Sequence, residues 1–96
     1  MSIVEITTFR LDEGVSASSF LDLDKRIQTE LVPNQPGFQR RTTARHGDEW
    51  LVVTLWADDD HASAFQRATE GDPLQAEFAR VVEAGSLHQT RYATLD

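Results

Sequence analysis

The chain reads as an α+β domain of order βαββαβ, a four-stranded antiparallel sheet with its helices on one face. Three observations carry this. Trp50 to Trp56 is a strand apolar on both sides, with Trp50, Val52, Thr54 and Trp56 on one face and Leu51, Val53 and Leu55 on the other. After Ser16, and again after Asp58, apolar residues recur at helical spacing. Turn residues divide the rest into short β-prone runs, which right-handed crossovers assemble into one sheet.

Ile3 to Leu11 is rich in β-branched and aromatic residues and ends at Asp12-Glu13-Gly14, so it is the first strand. Phe20, Leu23, Ile27 and Leu31 then mark a helix, with Ser16 as N-cap and Pro33 as stop. Asn34-Gln35-Pro36-Gly37 is a turn. Phe38 to Arg45 alternates and reaches the polar link His46-Gly47-Asp48-Glu49, which makes a hairpin with the strand Trp50 to Ala57. Asp58-Asp59-Asp60 caps a second helix, whose Ala62, Phe65 and Thr69 share a face up to Gly71. Asp72-Pro73 restarts it, Gln75 completes a capping-box pattern, and Leu74, Phe78, Val81 and Val82 are its buried residues before Gly85 ends it. Ser86 to Leu95 is the last strand, with His88, Thr90, Tyr92 and Thr94 on one face.

Two helices cover one side of such a sheet. The other side, holding Leu51, Val53 and Leu55 beside Val4 and Ile6, would leave an apolar patch larger than monomers ordinarily expose. A second copy packed face to face is the simplest cover, so a homodimer is expected.

Composition narrows the partners. The 96 residues suit one domain, 1-96, and the formal charge of -7 repels the phosphate backbone of nucleic acid. No apolar run is long enough to span a membrane, and Met1 to Glu5 lacks the basic and apolar regions of a signal peptide. With no cysteine there are no disulfides and no thiolate sites, which fits a reducing compartment; a cytoplasmic location is expected.

The run Asn34-Gln35-Pro36-Gly37-Phe38, the hairpin, and Trp50 to Asp58 followed by Ala62 and Phe65 resemble the dimeric α+β barrel superfamily, specifically its antibiotic-biosynthesis-monooxygenase-like domains. The resemblance covers nearly the whole chain and implies a ferredoxin-like βαββαβ subunit paired into a dimeric α+β barrel. It also implies a cavity in each subunit between helices and sheet, with Trp56 inside it. By ungapped analogy Thr7 comes from the first strand, with Glu5 and Phe9 on the same side of the pleat, and Trp50 and Thr54 stand beside Trp56. Oxygenase and haem-degrading relatives use an Asn near this cavity, whereas the one Asn here is Asn34 in the turn. Haem-degrading relatives also take an axial His from the second half of helix two, and Asp72 to Ala84 contains none, so neither haem nor another cofactor is expected.

The activity the resemblance implies is cofactor-independent monooxygenation, or the reaction of a related small enzyme such as an isomerase or cyclase, on a hydrophobic aromatic or polyketide-like substrate. Such an oxygenation needs an acidic substrate proton and an enclosed apolar cavity that stabilises the anion while O2 reacts. Trp56, Tyr92 and His88 are the candidate catalytic donors. Thr7, Phe9, Asp24, Gln28, Trp50, Thr54 and Phe65 are candidate substrate contacts, with Asp24 and Gln28 pairing a base with a donor one helical turn apart.

Each has a plainer reading. The tryptophans can be core aromatics, His88 and Tyr92 packing or surface residues, and Asp24 and Gln28 the solvated shoulder of an amphipathic helix. Arg40, Arg41 and Arg45 of the second strand could meet an anionic ligand, and their plainer reading is to guard an edge strand against aggregation. Asp58 to Asp60 lacks the spacing and Gly of a calcium loop, so no metal site is expected. The alternative function is a non-catalytic dimeric module binding a small hydrophobic ligand in the same cavity.

Overall fold

The computed structural model describes residues 1–95. Its strands are β1 (Ile3–Phe9), β2 (Phe38–His46), β3 (Glu49–Trp56) and β4 (His88–Ala93), and its helices α1 (Ala17–Arg26), α2 (Asp59–Ala68) and α3 (Pro73–Val81). The sheet is antiparallel throughout with strand order β2-β3-β1-β4. This is the expected ferredoxin-like arrangement, with the second helical region divided in two.

Local chemistry explains most boundaries. Ser16 caps α1 by accepting from Ser19 N–H, Asp58 caps α2 by accepting from His61 N–H, and Asp72 caps α3 by accepting from Leu74 N–H. The β2–β3 hairpin closes through Gly47 and Asp48, with Gly47 at φ 63°, the region a tight hairpin turn demands at its first central position. Gln75 does not complete a capping box. Its amide donates to Thr69 Oγ1 at 3.2 Å instead, while Asp72 N–H bonds the Thr69 carbonyl.

Two elements depart from regular periodicity, and both shape the interior. The α1 helix runs on as a π-helical turn, Ile27–Leu31, in which Val32 N–H reaches the Ile27 carbonyl at 3.2 Å. Five residues of α-helix would leave those two side chains about 140° apart, whereas i to i+5 bonding brings one back over the other. Ile27 and Val32 therefore face the same way, and both are buried. On β2 the pairing slips between Phe38 and Arg40, so Gln39 is the extra residue of a β-bulge. Regular alternation starting from Phe38 would send Arg41, Thr43 and Arg45 to the opposite face; the bulge puts them on the same face as Phe38.

The C-terminal end of α3 also differs from expectation. The helix stops at Val81, and Val82 is extended (φ -86°, ψ 133°) and bridges Leu11. Asp12 N–H bonds the Val81 carbonyl and Glu83 N–H bonds the Arg10 carbonyl, so the chain after β1 claims the groups that another helical turn would use.

Two apolar clusters fill the space between helices and sheet. One gathers Leu23, Ile27, Leu31, Val32 and Leu74. The other is aromatic: Phe9, Phe20 and Phe78 meet edge to face or tilted, and Trp50 tilts against Phe20 at 4.8 Å. Phe78 and Val81 of α3 touch both clusters and join them.

Candidate functional site

Register decides which side chains share the covered face. Glu5 pairs with Thr54 and with Arg91, Arg41 pairs with Thr54, and Thr7 pairs with Val52 and Gln89. Directly paired residues lie on the same side of a sheet. The face under the helices therefore carries Ile3, Glu5, Thr7 and Phe9 of β1, with Trp50, Val52, Thr54 and Trp56 of β3.

A cavity of about 120 Å³ lies between this face and the helices. Its floor is Glu5, Thr7, Arg41, Val52, Thr54 and Trp56. Ile27 and Val32, aligned by the π-turn, form the roof with Phe65 and Phe78, and Gln75, Leu87 and Gln89 complete the lining. Leu87 is half exposed and Gln89 exposed, so these two mark the rim.

Trp56 is 1% exposed and its ring meets Phe38 edge-on and Phe65 at a tilt. Its indole Nε1 is the one buried side-chain nitrogen or oxygen without a hydrogen-bond partner among the described residues. A donor left in that state costs about 1–3 kcal/mol.

Arg41 is the second donor of the cavity. Its Nη1 lies 2.8 Å from Asp24 Oδ1 and 2.8 Å from Gln28 Oε1, and Thr43 Oγ1 donates to Asp24 Oδ1 at 3.1 Å. Side-chain exposure is 7% for Arg41 and 10% for Asp24, so this is a buried ion pair. The guanidinium bonds run through Nη1, leaving Nε and Nη2 without protein partners among the described residues. Opposite, Glu5 Oε2 accepts from Arg91 Nε at 2.9 Å, and Arg91 Nη1 also bonds Asp59 and Ser63. Burial works against the Arg91 charge, but the hydrogen bonds it donates to Asp59 and Glu5 hold its pKa above the ordinary value.

Of the residues expected at the site, Thr7, Thr54, Trp56 and Phe65 line one cavity. Trp50 and Phe9 do not; they belong to the aromatic cluster at the other end of the covered face, where Arg45 stacks on Trp50 at 5.1 Å. Asp24 and Gln28 are absent from the lining and hold Arg41 instead, and Asp24 is buried rather than part of a solvated shoulder. Tyr92 and His88 are corrected most sharply. They pair with Val4 and Thr8, which puts them on the open face with Leu51, Val53 and Leu55, on the other side of the sheet from Trp56. Both are exposed.

Gln75 lines the cavity without having been expected there, and Arg41 lines it as the one of the three strand-two arginines that does. The bulge hid Arg41, and a Pro-Gly-Phe turn opening directly into a strand is the one local irregularity that could have pointed to it. Among the described residues, no three His, Cys, Asp or Glu side chains cluster to hold a metal, and no helix is long and apolar enough to cross a membrane.

Known structures agree with the fold. The chain is similar to SnoaB of Streptomyces nogalater, a cofactor-independent oxygenase, at 15% identity and TM-score 0.83, covering 99% of this chain and 94% of that one. It is similar to a dimeric ferredoxin-like protein of unknown function from Thermobifida fusca at 17% identity and TM-score 0.76, covering 98% and 92%. A Chloroflexus aurantiacus protein provisionally assigned as an antibiotic biosynthesis monooxygenase matches at 14% identity and TM-score 0.74, covering 100% and 95%. The structural neighbours are thus antibiotic-biosynthesis-monooxygenase-like proteins of ferredoxin fold, and at these identities the likeness establishes the fold. No protein-family model matches the chain, and no curated protein does.

Proposed function

We propose that this chain is a cofactor-independent monooxygenase acting on a small hydrophobic phenol or hydroquinone, working as a homodimer of one-domain subunits in the cytoplasm. The observation that carries the proposal is a mostly apolar cavity lined by Arg41 and by Trp56, whose Nε1 has no protein partner among the described residues. Both are donors suited to an oxyanion, and in a water-poor site they stabilise it far more than bulk water would. Oxygenation then needs no added reductant, because a hydroquinone and O2 give a hydroxyquinone and water with the substrate supplying both electrons. SnoaB, similar in fold over nearly its whole length, is an oxygenase without a cofactor, which supports the same chemistry.

Cavity size narrows the substrate. An apolar cavity of about 150 Å³ accepts benzene, so about 120 Å³ opening at the rim of Leu87 and Gln89 suits a substrate of one ring or two small fused rings and not a larger polycyclic polyketide.

Oxygen-electrode traces with single-ring hydroquinones test the proposal. Uptake above the blank is expected, with kcat/KM falling about 100-fold in Trp56→Phe, which keeps an aromatic ring and removes the donor. The second reading, a small-ligand module without chemistry, is favoured by the space that Phe65 and Phe78 already occupy in the cavity wall. Ligand binding without oxygen uptake across the panel would establish it.

A further inference from the structure

A single row of paired residues crosses the covered face of the sheet: Arg91 of β4, Glu5 of β1, Thr54 of β3 and Arg41 of β2. Asp59 continues it beyond Arg91, at 3.0 Å, and Asp24 beyond Arg41, at 2.8 Å. Charge alternates along this belt, and three of its members, Glu5, Thr54 and Arg41, are cavity floor. The rows on either side are mainly apolar or neutral, with Ile3, Trp56 and Phe38 on one side and Thr7, Val52 and Thr43 on the other.

The cavity therefore has a carboxylate-bearing residue at one side of its floor and a guanidinium-bearing one two strands away, their backbones about 10 Å apart. One aromatic ring fits between two such groups. Glu5 is the only carboxylate in the lining. It is buried, and the Arg91 that pairs with it is shared with Asp59, so its charge is only partly neutralised. Its hydrogen bond from Arg91 reaches Oε2 and leaves Oε1 as an acceptor.

We infer that Glu5 is the catalytic proton acceptor of this cavity, taking the acidic proton of a bound phenol or carbon acid while Arg41 and Trp56 hold the resulting oxyanion. The O–H or C–H bond of the ligand breaks, its electron pair moves onto the ligand oxygen, and the proton forms an O–H bond on Glu5. The assignment rests on the oxygenase reading for its biological substrate, but proton abstraction precedes any reaction with O2 and is measurable without it.

Phenolic protons exchange with water too fast to follow, so a carbon acid of similar size is the probe: 2-indanone in anaerobic D2O buffer, with deuterium uptake read by NMR and binding read by tryptophan fluorescence. The wild type is expected to speed exchange over buffer, and Glu5→Gln to lose about 100-fold of that acceleration while still binding the probe. Gln keeps an acceptor for Arg91; if Glu5→Gln nevertheless fails to fold, Glu5→Asp, which retains the charge one methylene further away, should fold and lose at least 10-fold. Undiminished exchange in the folded variant, or no acceleration by a wild type that binds 2-indanone, overturns the inference, as does failure of the wild type to bind it. Exchange without oxygen uptake on hydroquinones would sink the oxygenase reading alone, whereas oxygen uptake unaffected by Glu5→Gln would sink the Glu5 assignment alone.

Discussion

Arg41 shows how much one side chain can depend on its neighbours. Its ion pair with Asp24 is buried on both sides, so removing the cation strands a carboxylate that is only 10% exposed. Arg41→Leu is expected to destabilise the fold by about 3–5 kcal/mol in urea titration, and the double variant Asp24→Leu with Arg41→Leu to recover most of that loss. A full loss in the double variant would mean that packing, not charge, sets the cost. Gly37 is a second position where one atom decides. It sits at φ 79°, and a Cβ there would run into the ring of His61. Gly37→Ala should therefore cost at least about 2 kcal/mol, from left-handed strain and overlap together, and adding His61→Gly, which removes the ring and the Cβ that the new methyl would meet, should relieve only the overlap. Thermal unfolding of the single and double variants separates the two contributions.

At the scale of elements, capping and register govern both stability and what could be read from the chain. The Asp58 carboxyl is held below its ordinary value of 3.8, first by the His61 backbone N–H and then by the His61 ring. The folded state thus binds this proton less readily than the unfolded state. The cap's stabilisation is complete above the ordinary carboxyl value and disappears as pH falls through the lowered one. Wild type and Asp58→Asn, compared by thermal unfolding from about pH 5 to about pH 2, should converge as the acid end is approached. A constant gap would mean that the carboxyl charge plays no part. Element order and cap residues were legible because periodicity and Ser16, Asp58 and Asp72 act locally. Alternation likewise placed Thr7, Thr54 and Trp56 on one face. It says nothing of position along that face, which is why Phe9 and Trp50 were expected in a cavity that Phe20 and Phe78 exclude them from. Arg41 needed a bulge, Ile27 with Val32 a π-turn, and Tyr92 with His88 the β1–β4 register; each depends on long-range pairing that no local pattern encodes.

For the whole molecule, the open face of the sheet is the outstanding demand. Val4 and Ile6 on β1 and Leu51, Val53 and Leu55 on β3 form one apolar field across the central strands, all only partly buried. Tyr92, 55% exposed, lies beside Val4 on the same face. Polar residues ring this field on the outer strands: Arg40, Thr42 and His46 on β2, Thr90 and His88 on β4. An apolar centre with a polar rim is the anatomy of a protein interface, and a symmetric contact between identical sheets would cover it. Val53 sits centrally, its pairing partners Ile6 and Thr42 on either side, so a charge there would meet its own copy or apolar neighbours across a two-fold contact. We therefore expect Val53→Asp to halve the mass measured by light scattering at micromolar concentration while circular dichroism keeps the signature of the folded subunit. The cavity lies on the other side of the sheet, so 2-indanone binding should persist in that monomer if each subunit's site is complete. Binding lost together with the dimer would mean that the second copy shapes the cavity through the sheet the two sites share.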